Sequence, residues 1–321
     1  MASMATTWFR RRTTVVTLFA VLATVSLTAQ DTTLQYRWTK GDHLKYRLTT
    51  QTDVVMSGIP GMGEMTVATT QTQVQDMVVT DVAADGAATI EMKIESMKMD
   101  VVSPMGGSMS YDSTSPTPPA DPTVAQAAQI LGAIIGETMT MVIEPTGAVR
   151  SVTGATKVKA KLDKAMGSTG TTDQLGLGNL MNDDAIKGAL GQSMASLPKG
   201  AVKPGATWQQ EVRVPTPMST MISTSEYAFK GVEQLDGREV ARLATTIKTR
   251  AEGTGAMGPM TVKVEPGAGT GEMIFDTKLG RVLRSSATTS MPMSMTMSMP
   301  DGNSMSMQAA TKTQVTYEIL K

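Results

Sequence analysis

The sequence has no cysteine and a single histidine, His43, in 321 residues. Without Cys the chain can form neither disulfides nor thiolate metal sites, and one His cannot build a multi-histidine zinc site. A Ser/His/Asp triad would have to use His43, yet no G-x-S-x-G elbow is present to supply its serine. We therefore expect no enzymatic activity and no cofactor.

Aromatic residues and excess charge are also scarce. The chain has 4 Phe, 5 Tyr and 3 Trp, and its formal net charge is zero. A chain without excess positive charge does not attract phosphate backbones, so nucleic acid is not an expected partner. A chain of this length can still bury a sizeable core, and we expect side-chain packing alone to hold the fold.

The first 29 residues have the three parts of a secretory signal peptide. Arg10, Arg11 and Arg12 precede an apolar run from 15 to 27, and Ala29 ends a small-residue cleavage site. The apolar run is too short for an uncleaved anchor. We expect a secreted or periplasmic protein without an integral membrane segment after cleavage, in which residues 30–321 form a single domain.

Three features recur in the same order in the two halves of the chain. The matched segments are 141–151 with 273–285, 40–46 with 203–208, and 82–94 with 232–247. One interpretation is that a β-meander has been duplicated. The other is that the segments are alike only because Asp-Gly turns between alternating strands are common in any antiparallel sheet. A duplication would give half-repeats 30–155 and 199–321, joined by a helical segment 156–198.

Helical patterns lie between these halves. We predict helices from Asp121 to Gly136, from Ala155 to Met166, and from Asn182 to the residue before Pro198. The Gly-, Ser- and Pro-rich stretch 103–119 predicts a loop. Strands on both sides of a helical middle predict an α+β fold, with a large curved antiparallel sheet and about three helices packed on one face.

Methionine is abundant where aromatics are scarce, with 28 Met in the chain. The stretch 291–300 reads MPMSMTMSMP, so its methionines project from one face of a strand and its Pro, Ser and Thr residues from the other. Alternation alone does not say what that face contacts, and three interpretations remain open.

In the first interpretation Met fills the core beneath the helices, and the protein has a structural or protein-interaction role. In the second, Met lines an adaptable pocket for an apolar, lipid-like ligand. The ligand-lining residues would be Met92, Met97, Met99, Met139, Met141, Met291, Met293 and Met295. In the third, clustered thioethers bind Cu(I). The metal ligands would be Met291, Met293, Met295, Met297, Met299, Met305 and Met307.

Several turns and strand edges resemble those of a family of secreted bacterial proteins of unknown function. They are the opening strand 41–47, Tyr111-Asp112-Ser113, Glu144-Pro145-Thr146-Gly147, Leu197-Pro198 before Gly205-Ala206-Thr207-Trp208, and 271–276. The resemblance covers nearly the whole mature chain, implies a fold and implies no activity. By fold-level analogy, a curved sheet with helices in its concave side looks like lipoprotein-carrier architecture. The leading hypothesis is a non-enzymatic exported protein that binds a lipid-like ligand.

Overall fold

The computed structural model describes residues 31–58, 61–104, 107–117, 119, 121–167, 182–194, 196–215, 219–253, 255–257, 260–298 and 304–320. The predicted signal peptide and Met299 lie outside these residues. None of the helices within them combines the length and apolar character that crossing a membrane requires.

Strands dominate the described residues. In the first half they are β1 (Thr32–Thr33), β2 (His43–Ser57), β3 (Met65–Val82), β4 (Ala88–Ser103), β5 (Gly107–Asp112), β6 (Thr138–Ile143) and β7 (Val149–Thr153). In the second half they are β8 (Ala201–Val202), β9 (Thr207–Pro215), β10 (Thr220–Leu235), β11 (Arg238–Glu252), β12 (Gly255–Met257), β13 (Met260–Val264), β14 (Gly267–Asp276), β15 (Arg281–Ser298) and β16 (Ser304–Ile319). The helices are α1 (Pro122–Gly132), α2 (Ala155–Met166) and α3 (Asp183–Ser193).

Fourteen of these strands form one antiparallel sheet that includes both halves of the chain. Its main path runs β7-β6-β4-β3-β2-β16-β15-β14-β11-β10-β9, while β5, β12 and β13 pair beside it and β1 pairs with β8. The prediction of an α+β protein with a large curved antiparallel sheet is confirmed.

The two halves follow the same strand order. The meander β2-β3-β4-β6-β7 is matched by β9-β10-β11-β14-β15, and β16 joins the two between β2 and β15. In both halves the second and third strands shift register near the turn that joins them, between Val79 and Asp81 and between Phe229 and Gly231. A duplicated meander would give this order; the half-repeat boundaries stay a prediction.

The helices lie close to their predicted bounds. α2 spans the predicted residues, and α3 begins after the Asn182 cap, whose side chain accepts a hydrogen bond from Ala185 N at 2.8 Å. α1 ends at Gly132, before the predicted Gly136. The prediction of an unbroken loop over 103–119 is wrong, because β5 lies inside it and pairs with β4.

One helix shows how strongly the sheet curves. α3 contacts both β7 and β9, which are the two ends of the main path. Eleven strands spaced about 4.8 Å apart would spread over about 48 Å in a flat sheet. An 11-residue helix is only about 16 Å long. The sheet must therefore curl until its two edges approach the same helix.

The core consists of two clusters, one for each half. The cluster of the second half contains Phe229, Leu243 and Phe275, and it also includes Leu34 and Tyr36 from the segment that precedes β2. The cluster of the first half contains Leu44, Val79, Ile90, Met141 and Ile143, among others. Side chains that pack against both clusters are Trp38, Met194 and Tyr317.

An aromatic stack crosses the seam between the halves. The rings of Tyr46 on β2 and Tyr317 on β16 are 4.4 Å apart between centroids and nearly parallel. Burial raises the pKa of Tyr46 to about 12. Its hydroxyl therefore stays protonated at neutral pH and donates to the carbonyl oxygen of Val282 at 3.2 Å. This bond ties β2 to β15 across the intervening strand.

Candidate functional site on the inner face of the sheet

Side chains that lie directly opposite each other in an antiparallel sheet share a face, so the strand register defines rows across it. Two neighbouring rows cross ten strands on the face that carries the core. The first consists of Trp208, Tyr227, Thr245, Gly271, Ala287, Val315, Thr50, Gln71, Met99 and Tyr111. The second consists of Gln210, Ser225, Ile247, Gly269, Thr289, Thr313, Thr52, Thr69, Val101 and Met109. We call this the inner face.

These two inner rows contain no Asp, Glu, Lys, Arg or His. The neighbouring row on the opposite, outer face carries Glu211, Lys248, Lys312 and Asp53. Outer-face charges pair with one another, as in the 3.1 Å ion pair between Arg47 and Glu318. The sheet thus separates charge to one side and leaves an uncharged surface of Thr, Ser, Gly, Val and Met on the other.

Alternate glycines on β14 allow the inner face to curve. Gly267, Gly269 and Gly271 all belong to it. A Cβ atom added to Gly269 would lie 2.6 Å from Thr289 Cγ2, and one added to Gly271 would lie 2.7 Å from the carbonyl oxygen of Ser286. Glycine in a strand interior marks a place where another backbone approaches closely. Only residues without a side chain fit where β15 bends over β14.

A cavity of about 290 Å³ lies over this bend. Its lining residues are Val214, Met221, Ile222, Ser223, Thr249, Thr289, Met291, Thr311 and Thr313. They come from β9, β10 and β11 on one side and from β15 and β16 on the other. The volume is just below the range that is usual for small-molecule sites, about 300 to 1,000 Å³. Hydroxyl and apolar side chains line it, and no charged residue does.

The predicted ligand-lining residues fall into separate groups. Met92 and Met141 are 5% and 2% exposed, and Met139 packs against the same core cluster of the first half. Their thioethers fill the core beneath α3, whose Ile186 and Leu190 contact this cluster as well. These three methionines therefore contribute to the core and do not line the cavity.

The other predicted residues lie on the more open part of the sheet. Met97 is buried, with its Sδ 3.9 Å from Gln71 Nε2, and Met99 is half-buried on the first inner row. Met291, Met293 and Met295 are half-buried along β15. Of all the predicted ligand-lining residues, Met291 alone lines the cavity.

The sequence reasoning missed the threonines and the glycines of this site. Thr249, Thr289, Thr311 and Thr313 surround the cavity, although their strands are separate in the sequence. The usable signal was the Gly-x-Gly-x-Gly pattern at 267–271, because glycine at a period of two in a strand indicates close approach on one face.

The predicted metal ligands are partly brought together. Met295 lies opposite Met307 and Met297 lies opposite Met305, whereas Met291 and Met293 lie opposite Thr311 and Ala309. No group of three or more His, Cys, Asp or Glu residues that could hold a metal occurs in the part of the chain that the structure describes. Thioethers are thus the soft ligands that this face offers.

His43 lies on the outer face, away from the cavity. Its Nε2 contacts Asp76 Oδ1, and Lys93 Nζ lies 3.1 Å from Asp76 Oδ2. Asp76 is 6% exposed. Burial by itself would raise the pKa of Asp76, but the hydrogen bonds from Lys93 and His43 together outweigh it and lower that pKa. The cluster has the properties of a stabilising ion-pair network.

Asp76→Asn should destabilise the protein at pH 7 by about 1–2 kcal/mol, because it removes a charged acceptor from two donors. A carboxylate whose folded-state pKa is lowered stabilises the fold above its unfolded value, about 3.9, and loses that contribution as the pH falls through the folded value. The difference between wild type and variant should therefore shrink below about pH 4. Urea unfolding at a series of pH values measures this.

The matched control is Asp53→Asn, at an exposed position on the same outer face. It should change stability by less than about 0.5 kcal/mol at any pH. Equal effects of the two substitutions at pH 7 would contradict the assigned role of Asp76.

A second cleft of about 380 Å³ lies at the turn end of the sheet. It is lined by Gln35, Tyr36, Arg37, Trp38, Val82, Ala84, Asp85, Gly86 and Pro145. Asp85 is paired with Arg150 at 2.9 Å, and this hydrogen bond lowers the pKa of Asp85. The cleft lacks the uncharged lining of the inner-face cavity and is the weaker candidate.

Residues 85–282 match a sequence family described as a family of unknown function, DUF6263. This range covers more than half of the chain and contains most of the strands of both halves. No curated protein matches the sequence.

Solved structures match the chain at very low sequence identity and with TM-scores below 0.5. A structure of lipid–protein interactions in lipovitellin matches 89% of this chain with 8% identity and a TM-score of 0.46. The chain spans only 26% of that protein. A putative lipoprotein from Parabacteroides distasonis matches 88% of this chain and 97% of its own, with 10% identity and a TM-score of 0.28. Similarity at this level carries no argument about function.

Proposed function

Because the chain belongs to the DUF6263 family, to which no function is assigned, we propose its function from its own geometry. We propose that it is an exported, non-enzymatic binding protein that holds an uncharged, lipid-like molecule on the inner face. The observation that carries the proposal is a cavity lined without charge on a sheet whose charges lie on the other side. Export rests on the signal-peptide pattern of residues 1–29.

The uncharged lining favours a neutral ligand. Placing an ion on this face would remove water from the charge without supplying a partner for it, which is unfavourable. An apolar chain has no charge to remove from water. Its burial stabilises the complex by about 25 cal/mol for each Å² of apolar surface removed from water. The lining therefore discriminates against anionic amphiphiles whose head group would enter the cavity.

The four threonines give the cavity a polar element that suits a neutral oxygen function. Thr249 lies on β11, Thr289 lies on β15, and Thr311 and Thr313 lie on β16. A hydroxyl both donates and accepts hydrogen bonds, so it can satisfy an ester, alcohol or ketone oxygen. Val214, Met221 and Met291 supply apolar contact. Sites of this composition, mostly apolar with a few polar groups, are typical for small ligands.

Binding of a neutral and an anionic dye tests the proposal directly. N-phenylnaphthylamine is uncharged and apolar, whereas anilinonaphthalene sulfonate has a similar ring system with a sulfonate. We expect saturable binding of the neutral dye and binding at least about tenfold weaker of the sulfonate, a difference of about 1.4 kcal/mol. Failure of the neutral dye to bind, or stronger binding of the sulfonate, would overturn the proposal.

A bulky side chain in the cavity should abolish binding of the neutral dye. Met291→Trp places an indole where the thioether lines the cavity, and affinity should fall at least about tenfold because the ligand's space is filled. Fluorescence titration measures the affinity, and thermal unfolding checks that the variant folds. Should Met291→Trp fail to fold, Thr313→Phe tests the same cavity from β16.

Ser290→Trp is the matched control, since Ser290 is the preceding residue, is exposed and lies on the outer face opposite Lys312. This variant should bind the dye as the wild type does. A loss of binding in both variants would mean that the dye does not occupy the inner-face cavity.

A further inference from the structure

Four methionine thioethers lie close together on the inner face where β15 ends and β16 begins. Met295 is directly opposite Met307, and Met297 is directly opposite Met305. Opposite Cβ atoms in an antiparallel pair are about 5 Å apart. Residues two apart along a strand are about 6.8 Å apart on the same face. Four methionines therefore occupy one compact rectangle.

These four side chains are available to a ligand. All four are half-buried, and none belongs to either core cluster. Each methionine has three rotatable bonds, so its sulfur can move several ångströms without any change in the backbone. Half-burial also shields a bound ion from part of the solvent. Met92 and Met141 are not available to a ligand in this way, because they are nearly fully buried among other core side chains.

The surroundings are soft and uncharged. The residues between these methionines along the two strands are Thr296 and Ser306, which lie opposite each other on the outer face. No carboxylate, imidazole or thiolate is among the four residues. Hard divalent cations need oxygen ligands and compensating negative charge, and this face supplies neither. Soft thioethers suit Cu(I), which carries a single charge and is satisfied by neutral sulfur ligands.

We propose that Met295, Met297, Met305 and Met307 form a binding site for one Cu(I) ion. Sulfur atoms from two cross-strand pairs approach the ion from two strands, so the site bridges β15 and β16. Met291 and Met293 take no part, since Thr311 and Ala309 lie opposite them. This site is independent of the proposed apolar-ligand cavity, to which Met291 belongs.

Competition between the protein and a chromogenic Cu(I) chelator, under anaerobic reducing conditions, measures the affinity. The wild type should remove one equivalent of Cu(I) from the chelator. Replacing all four methionines by leucine keeps the apolar volume and removes the sulfur atoms. Affinity should fall at least about 100-fold, which corresponds to about 2.7 kcal/mol. An unchanged affinity in this variant, or no binding by the wild type, would overturn the proposal.

The double substitution Met56→Leu and Met65→Leu is a matched control, because these two residues are also directly opposite each other, on β2 and β3. It removes one cross-strand thioether pair without touching the four ligands, so copper affinity should stay at the wild-type value. Met291→Trp should likewise keep its copper and lose the neutral dye, which separates this proposal from the proposed function.

A second measurement uses the unmodified protein and does not depend on the folding of a variant. Peroxide converts accessible methionine to the sulfoxide, and a sulfur bound to a metal is protected. Ag(I), a redox-inert analogue of Cu(I), should protect Met295, Met297, Met305 and Met307 from oxidation and leave Met56 unprotected. Peptide mass spectrometry reads out each position. Equal oxidation of the four residues with and without Ag(I) would overturn the proposal.

Discussion

Gly269→Val is expected to destabilise the protein by about 3 kcal/mol or more, because the new side chain has no space. Its Cβ would overlap the carbonyl oxygen of Thr288 and would lie 2.6 Å from Thr289 Cγ2. Backbone cannot rotate away as the end of a side chain can, so β14 and β15 would have to separate. Denaturant unfolding of the purified variant measures the effect.

Ala268→Val is the control for the same strand, because Ala268 is exposed and lies on the outer face opposite Ser290 and Lys248. Valine is favoured in strands, and this variant should be within about 0.5 kcal/mol of the wild type. If Gly269→Val were as stable as Ala268→Val, β14 and β15 would not approach each other as closely as the structure has them.

The local structure could be predicted from the sequence wherever a signal lies within a few residues. The Asn182 cap gave the start of the third helix, whereas its end was placed too late, because the helix ends at Ser193 and not at the residue before Pro198. Alternation gave the strand that carries Met291. β5 was missed because the composition of 103–119 favours turns, whereas pairing with β4, such as Met99 with Tyr111, stabilises the strand from outside.

The site could not be predicted because burial depends on which strands become neighbours. Met141 and Met291 each follow a polar residue in a methionine-rich strand, yet Met141 is 2% exposed and Met291 lines the inner-face cavity. Period-two patterns determine which face a side chain takes and do not say what covers that face. The threonines of the cavity are drawn from three separate strands, and no local pattern connects them.

The side chains on the inner face differ from one part of the sheet to another, so that one sheet offers two different binding surfaces. Near Tyr227 and Tyr46 it is covered by α3 and aromatic core. Over the glycines of β14 it is lined by hydroxyl and apolar groups around the cavity. Where β15 ends and β16 begins, it carries the thioethers of two cross-strand methionine pairs. A neutral ligand and a soft cation would therefore select different parts of the same uncharged surface.

Gln210→Leu is expected to lower stability by about 2–4 kcal/mol, because the Gln210 amide joins three elements by hydrogen bonds that leucine cannot make. Its Nε2 donates to the carbonyl oxygen of Gly191 in α3 at 2.7 Å. Its Oε1 accepts from Ser196 N at 3.2 Å and from the Tyr227 hydroxyl at 3.1 Å. Leucine matches the volume but leaves these partly buried groups unpaired.

Because α3 contacts both edges of the sheet, loosening its connection to β9 should also free the helix from β7. Amide hydrogen exchange in Gln210→Leu should accelerate in α3 and β7, far more than in β2 and β3, which lie inside the sheet and pair with a strand on each side. Gln209→Leu is the control, since Gln209 is exposed on the outer face and bonds only to Glu226 among the described residues. Equal exchange rates in the two variants would mean that curvature of the sheet does not depend on α3, and that the β14 glycines alone maintain the cavity.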